Sequence, residues 1–150
     1  MTRTYPQAPV CAVGAIVFRG DAVLLIQRGR PPAQGKWSIP GGAVRLGETL
    51  EDAVIRELRE EVAMDVKPLG VGKVIDRIYT DSEGKIAYHY VIIDYVCEAG
   101  AGQPQAGSDA SDAGFFEIEK LDEMDMTEGT AEVIREVQRR WRTMSDDLNA

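Results

Sequence analysis

The sequence predicts an α/β protein in which helices cover both faces of a central mixed β-sheet, an α/β/α sandwich. Runs rich in β-branched and other apolar residues recur along the 150-residue chain, and two stretches with helical spacing interrupt them. Such a layered arrangement buries the apolar side of each element. The chain has no internal repeat and no long linker, so we expect a single domain spanning residues 1–150.

The first elements are predicted to be a strand pair and a loop. Val10–Phe18 is rich in valine, isoleucine and alanine, and a turn at residues 19–21 leads into a partner strand at Ala22–Gln27. Arg28–Gly35 is basic and contains adjacent prolines, which favours a loop.

The second half of the chain is predicted to contain two long strands, a mobile loop, a short strand and a terminal helix. In chain order these are Lys67–Tyr79, Ile86–Cys97, Ala99–Ser108, Phe115–Ile118 and Thr130–Trp141. The loop follows from its content of glycine, alanine, glutamine and proline. The terminal helix follows from apolar residues at helical spacing.

The composition excludes several classes of protein. A net charge of −8 makes a nucleic-acid duplex a poor partner, although an acidic chain can bind phosphates when metal ions screen the repulsion. No apolar run is long enough to cross a membrane, and the N-terminal residues lack the apolar run of a signal peptide. We therefore expect a cytoplasmic protein without a membrane partner.

The cysteines and the histidine offer little for catalysis. Cys11 and Cys97 each lie in a β-like apolar run, so both are expected to be buried, reduced thiols. His89 is the only histidine and no close cysteine pair exists, which argues against a zinc site and against a serine–histidine hydrolase.

A carboxylate-rich helix is the most informative element. Thr49, with an acidic residue three positions later, is a capping-box-like start for a helix from about Leu50 to about Ala63. Glu57, Glu60 and Glu61 are three and four residues apart, which brings them to one helix face.

Two of these carboxylates share the apolar side of the helix. At 100° per residue, Glu57 and Glu61 fall among Leu50, Ala53 and Val54. Like charges at this spacing destabilise a helix, and partial burial costs more unless cations offset it. Mg²⁺, which prefers carboxylate and carbonyl oxygens, would do so. The alternative is an acidic helix face that is simply solvated.

Together with the preceding glycines, this segment resembles the Nudix box: glycine, five residues, glutamate, seven residues, Arg-Glu, an apolar residue, any residue, Glu-Glu, any residue, glycine and an apolar residue. The matching residues are Gly42, Glu48, Arg56, Glu57, Leu58, Glu60, Glu61 and Met64. Ala63 departs from the pattern, because the family has glycine there. Either Ala63 adopts a left-handed cap, at roughly 1 kcal/mol, or the helix ends differently.

The resemblance implies a Nudix fold and a divalent metal site that binds Mg²⁺ or, alternatively, Mn²⁺. The implied ligands are the side chains of Glu57, Glu60 and Glu61 and the carbonyl of Gly41. It also implies that two further residues of the catalytic constellation, Arg56 and Glu48, form an orienting pair.

The general base is left open, because members of this family use either a box glutamate or a carboxylate from a later loop. The candidates are Glu57, Glu60, Asp109 and Asp112, with Glu98 a weaker one. The alternative for Asp109 and Asp112 is that both are solvated loop residues without a catalytic role.

Basic and aromatic residues are candidates for substrate binding. Arg28 and Arg30 follow a predicted strand end, where they could reach phosphates; otherwise they are solvated loop cations. Tyr79, Tyr88 and Tyr90 could stack on a base; core packing is the alternative for Tyr88 and Tyr90, which share a strand face.

Within the resemblance, the segments Gly35–Ala43 and Tyr88–Tyr95 are most similar to the ADP-ribose pyrophosphatase branch. This implies Mg²⁺-dependent hydrolysis of ADP-ribose to AMP and ribose 5-phosphate. The alternatives are a MutT-type enzyme that hydrolyses nucleoside triphosphates and, from another class, a non-catalytic nucleotide-sensing module. An acidic calcium buffer is disfavoured because the EF-hand ligand pattern is absent from the sequence. A homodimer is an expectation by resemblance alone.

Overall fold

A computed structural model of the chain describes residues 3–107 and 109–149, with residues 145–149 given as helix backbone. The described residues form seven strands, two α-helices and one 3-10 helix. The strands are β1 Val10–Arg19, β2 Ala22–Arg28, β3 Trp37–Ser38, β4 Gly41–Ala43, β5 Val66–Thr80, β6 Ile86–Ala99 and β7 Ala110–Glu117. The helices are α1 Leu50–Val62, the 3-10 helix Ile118–Glu123 and α2 Thr130–Asn149.

The sheet is mixed and branches at β1. Its main order is β3-β2-β1-β6-β5, while β4 also pairs with β1 and β7 with β2. β1 runs parallel to β6, and the other named pairs are antiparallel. The first half of β1 pairs with β4, and its end pairs with β2. Two partners on the same side of one strand force the sheet to divide, which opens space beside β4.

Each helix covers one face of the sheet. Val54, Leu58 and Val62 recur every four residues along α1, are fully buried and pack on one side. Ile134 and Val137 of α2 are fully buried on the other side. The predicted α/β/α sandwich is therefore confirmed.

The long elements agree with the sequence prediction within a few residues, and α2 extends beyond the predicted end at Trp141. β3 and β4 were not predicted, because strands this short have no periodicity. The predicted strand Phe115–Ile118 instead spans Ala110–Glu117, and Ile118 begins the 3-10 helix.

The loop predicted at Ala99–Ser108 is fastened to the end of α1. The N–H groups of Gln105 and Gly107 donate to the carbonyls of Val62 and Glu61, at 2.9 and 2.8 Å. These bonds satisfy carbonyls that the helix end leaves free. Ser108 lies outside the described residues.

The two cysteines differ in their exposure to solvent. Cys97 is buried, as predicted, and burial raises the pKa of its thiol to about 12. The prediction of a buried thiol is wrong for Cys11, which is exposed because β1 enters the core only at Ala12. Neither α-helix of the described chain has an apolar stretch sufficient to span a bilayer.

Candidate active site

Helix α1 and strand β4 bring the box residues together. The Thr49 hydroxyl accepts a hydrogen bond from the Asp52 N–H at 3.1 Å, which begins the helix. The Glu57 carboxylate packs against Gly42, where an added Cβ would lie 2.6 Å from either carboxylate oxygen. Gly42 is therefore needed for this close approach of strand and helix.

Arg56 connects the loop before α1 to the helix. Its Nε and Nη2 donate to the two carboxylate oxygens of Glu48 at 2.7 and 2.9 Å, and Nη2 also donates to the Ala43 carbonyl at 3.0 Å. The Arg56 guanidinium lowers the pKa of Glu48 to about 2. The contact expected of the orienting pair is thus present.

Two of the predicted metal ligands are bound to the same guanidinium. Nη1 of Arg56 donates to Glu57 Oε1 at 2.8 Å and to Glu60 Oε2 at 3.2 Å. Arg45 contacts the other oxygen of Glu60 at 3.3 Å. Within residues 3–107 and 109–149, no three acidic, histidine or cysteine side chains converge on a ready-made metal site.

Glu61 is the carboxylate without a cationic partner among the three. It is buried, and its Oε1 accepts a hydrogen bond from the Gly41 N–H at 3.4 Å. Burial raises the pKa of Glu61 to about 8; the Gly41 N–H opposes this, and the charge of Glu57 adds to it. The buried Glu61 carboxylate is an oxygen donor that a hard divalent cation would stabilise, so its chemistry fits Mg²⁺. Glu57 and Glu60 offer further carboxylate oxygens on the same helix, and these would have to turn from their arginines to join it.

A cavity of about 530 Å³ opens beside this group. Its lining includes Glu61 and Gly41 together with the predicted substrate-binding residues, which are Arg28, Arg30, Tyr79, Tyr88 and Tyr90. The structure thus brings one predicted metal ligand side chain and the candidate substrate contacts into a single space. Glu57 and Glu60 lie outside the described lining residues.

The tyrosines form one wall of the cavity. Tyr88 and Tyr90 stack with ring centroids 6.3 Å apart and planes 14° apart, and Tyr79 meets Tyr88 edge to face. His89 alternates to the opposite face of β6.

The remaining candidate bases occupy different places, and Asp112, expected in a loop, lies on strand β7 because β2 pairs with that segment. Asp109 lines the cavity and pairs with Arg30, its Oδ1 lying 3.0 Å from Nε, with both side chains largely exposed. Arg28 Nε donates to the Pro32 carbonyl at 2.6 Å. Asp112 is exposed on β7 and accepts from the Ala113 N–H at 2.8 Å; neither it nor the exposed Glu98 is among the described lining residues.

A model of the NUDIX domain family matches residues 9–137. The chain belongs to the Nudix family. A relative from Methanocaldococcus jannaschii, "ADP-ribose pyrophosphatase", is 34% identical over 113 residues, which are 75% of this chain and 64% of the relative. The "Putative 8-oxo-dGTP diphosphatase 2" of Mycobacterium tuberculosis is 48% identical over 73 residues, which are 48% of this chain and 49% of the relative. The chain thus spans between about half and two thirds of these two Nudix relatives.

The Nudix fold is also shared with solved structures. The crystal structure of a MutT NUDIX hydrolase from Burkholderia pseudomallei is 29% identical and superimposes with a TM-score of 0.76, covering 87% of this chain and 99% of that one. The mixed sheet between two helix layers is therefore an architecture of the Nudix family.

Residues outside the Nudix box also line the cavity, and the sequence patterns did not single them out. They are Arg77 on β5, Asp94 on β6, and Thr127 and Thr130 before and at the start of α2. Asp94 carries the one available signal, since it is an acidic residue within the apolar run of β6. The others have no local signal and are brought together by the sheet and α2.

Proposed function

We propose that this chain is a Mg²⁺-dependent hydrolase of the diphosphate linkage in nucleoside diphosphate derivatives. The observation that carries the proposal is the shared cavity, in which Glu61 and Gly41 face the same space as Arg28, Arg30 and the tyrosine wall. Its volume of about 530 Å³ falls in the range of about 300–1,000 Å³ typical of small-molecule sites.

The proposed metal ligands are the Gly41 carbonyl and the carboxylates of Glu57, Glu60 and Glu61. A bound cation would neutralise charge on phosphoryl oxygens and lower the pKa of a water ligand. Arg56 already contacts Glu57 and Glu60, so we assign it, with Glu48, the positioning of those carboxylates.

The proton of the attacking water needs an acceptor, and three carboxylates are proposed for it. Glu57 and Glu60 are held by Arg56, while Asp109 is held by Arg30 at the cavity lining. Each candidate is therefore an ion-paired carboxylate: both oxygens of Glu60 contact an arginine, whereas Glu57 and Asp109 are each paired through one oxygen. Arg30 is itself a candidate phosphate ligand, so substrate binding there would free Asp109.

ADP-ribose is the proposed substrate, with water adding across the diphosphate to give AMP and ribose 5-phosphate. The similarity to the Methanocaldococcus jannaschii relative supports this choice. Arg28 and Arg30 suit the two phosphates, and Tyr79 or Tyr90 suits the adenine. The proposed MutT-type alternative, hydrolysis of a nucleoside triphosphate, is supported by the Mycobacterium tuberculosis relative.

A substrate panel tests the proposal. ADP-ribose, the deoxynucleoside triphosphates, dinucleoside polyphosphates and sugar nucleotides are incubated with Mg²⁺ or Mn²⁺, and the products identify the bond that breaks. We expect the highest kcat/KM for ADP-ribose. A preference for a triphosphate would favour the MutT-type activity, and binding without turnover of any compound would favour a nucleotide-sensing module.

A cytoplasmic location and a homodimer remain predictions that the family resemblance supports. Cell fractionation tests the first, and light scattering of the purified protein tests the second.

A further inference from the structure

A buried carboxylate in the cavity has no hydrogen-bond partner. Asp94 lies on β6 with 2% of its surface exposed, and its Oδ1 makes no hydrogen bond within the described chain. An unpartnered buried polar atom of this kind destabilises the folded state, and more so when it is charged. The missing hydrogen bond could be supplied by a neighbouring side chain or by a ligand in the cavity.

The neighbours in the sheet accommodate Asp94 without neutralising it. Gly14 pairs with it across β1, and a Cβ added at Gly14 would collide with Asp94 Oδ1. Lys73 pairs with it across β5, but its Nζ lies 3.0 Å from Glu136 Oε2 and so belongs to another ion pair. Gly14 thus leaves space for the carboxylate, and the lysine paired with Asp94 across β5 is already bound to Glu136.

The remaining surroundings also leave Oδ1 without a donor. Arg77 lowers the pKa of Asp94 through its charge, yet burial dominates and raises that pKa to about 7. The hydroxyls of Thr127 and Thr130 are hydrogen-bonded to each other, and within the described chain neither donates to Asp94 Oδ1. Asp94 therefore presents an acceptor to the cavity, and the protein supplies no donor for it within the described residues.

The negative charge of the Asp94 carboxylate determines which part of a ligand can bind to it. A carboxylate repels a phosphate, whereas the cavity's arginines, Arg28 and Arg30 among them, attract one. A neutral group that carries N–H or O–H would satisfy Oδ1 without bringing a second negative charge. In a nucleotide, such groups belong to the base and the sugar.

We propose that Asp94 is a specificity-determining residue that accepts a hydrogen bond from the nucleoside part of the ligand, either from an N–H of the base or from the 2′-O–H of the ribose. The inference rests on the proposed function in taking the ligand to be a nucleotide. Gly14 serves the same recognition by leaving room for the carboxylate.

Binding of nucleoside monophosphates tests this without any turnover. Calorimetry compares AMP, GMP, IMP and 2′-deoxy-AMP on the wild type, on Asp94→Asn and on the control Asp76→Asn, which changes an exposed aspartate of β5. We expect Asp94→Asn to weaken the preferred nucleotide at least 10-fold, and Asp76→Asn to stay within about twofold of the wild type. Gly14→Ala, which crowds the carboxylate without deleting it, should also weaken binding.

The analogues distinguish the two donors. IMP lacks the exocyclic amine of AMP and GMP but has the N1–H that GMP shares and AMP lacks. If an exocyclic amine is the donor, the wild type discriminates against IMP; if the N1–H is the donor, it prefers GMP and IMP over AMP. In either case Asp94→Asn loses most of that discrimination. If the 2′-hydroxyl of the ribose is the donor, the loss on mutation disappears for 2′-deoxy-AMP. Equal affinities of the wild type and Asp94→Asn for every nucleotide would overturn the proposal, as would an equal loss for all four. Absence of hydrolysis in the substrate panel, with binding intact, would overturn the proposed activity alone.

Discussion

The guanidinium of Arg56 and the carboxylate of Glu48 form two parallel hydrogen bonds, Nε to Oε2 at 2.7 Å and Nη2 to Oε1 at 2.9 Å. Both side chains are mostly buried, and Arg56 Nη2 also reaches the Ala43 carbonyl. One arginine therefore fastens the loop, the end of β4 and helix α1, which is the framework that holds the proposed metal ligands.

We predict that Arg56→Lys lowers the free energy of unfolding by about 2–3 kcal/mol, because an ammonium cannot reproduce the paired hydrogen bonds and leaves Glu48 mostly buried without them. Urea denaturation monitored by circular dichroism measures this free energy of unfolding. Arg59→Lys is the matched control, since the Arg59–Asp65 pair is largely exposed and should contribute less than about 1 kcal/mol. If both variants lose the same free energy of unfolding, the Arg56 contacts contribute no more to stability than an exposed ion pair does.

Ala63 ends helix α1 in the left-handed region, with φ 55° and ψ 39°. Glycine adopts this conformation without the strain caused by a Cβ, so Ala63→Gly should stabilise the fold by about 0.5–1 kcal/mol. Thermal unfolding should then show Tm higher by roughly 2–3 °C. Ala101→Gly, in an exposed loop, is the control and should leave Tm unchanged or lower; an equal rise there would remove the cap as the cause.

The sequence predicted those features that depend on local spacing. The three-and-four spacing of the glutamates placed Glu61 on the buried side of α1, and the Nudix pattern located the helix end at Ala63. Both depend on residues within a few turns of one helix. The layered fold followed in the same way from the periods of its long elements.

Features that depend on pairing between segments far apart in the chain were not predicted from the sequence. Residues 110–114 have the composition of a loop, yet they form half of β7 because β2 supplies hydrogen-bond partners along them. Asp94 interrupts an apolar run, but only the sheet determines that it points inward beside Gly14. Tertiary contacts override weak local preferences at such positions.

Glu61→Gln is predicted to abolish Mg²⁺-dependent turnover while the fold survives. The substitution keeps the side-chain shape, and burial raises the pKa of Glu61 from 4.5 to about 8. Without metal, the stability relative to the wild type should therefore be unchanged at low pH and higher as pH rises from 4.5 through 8, because only the wild-type side chain ionises. Steady-state turnover and Mn²⁺ binding by calorimetry are compared with Glu51→Gln, an exposed glutamate in the first turn of the same helix. Undiminished turnover would remove Glu61 from the proposed metal site.

Tyr90→Ala should raise KM for an adenine nucleotide, because Tyr90 is part of the aromatic wall of the cavity. Loss of one stacking ring corresponds to about 1–3 kcal/mol, which is roughly 5- to 150-fold in KM. Tyr90→Phe retains the ring and should keep KM close to the wild-type value. If KM is unchanged in Tyr90→Ala but stability falls, the ring serves packing instead of base binding.

Asp94→Asn should change how stability depends on pH. Burial raises the pKa of Asp94 from 3.8 to about 7 in the folded protein. The folded state therefore binds this proton more tightly than the unfolded chain does. The stabilisation is complete below about pH 4 and is lost as pH rises through 7.

Asparagine does not titrate, so the stability of Asp94→Asn relative to the wild type should rise between pH 4 and pH 8, by on the order of 4 kcal/mol at most. Arg77, whose charge lowers the pKa of Asp94, and Lys73, which pairs with Asp94 across β5 and binds Glu136, are present in both proteins. The raised pKa of Glu61 likewise cancels in the difference. Urea denaturation at several pH values measures the trend. The buried amide of the variant shifts its free energy of unfolding by the same amount at every pH. The test is therefore how the difference between the two proteins changes with pH. A difference that does not change with pH would mean that Asp94 is hydrated or paired in the folded protein.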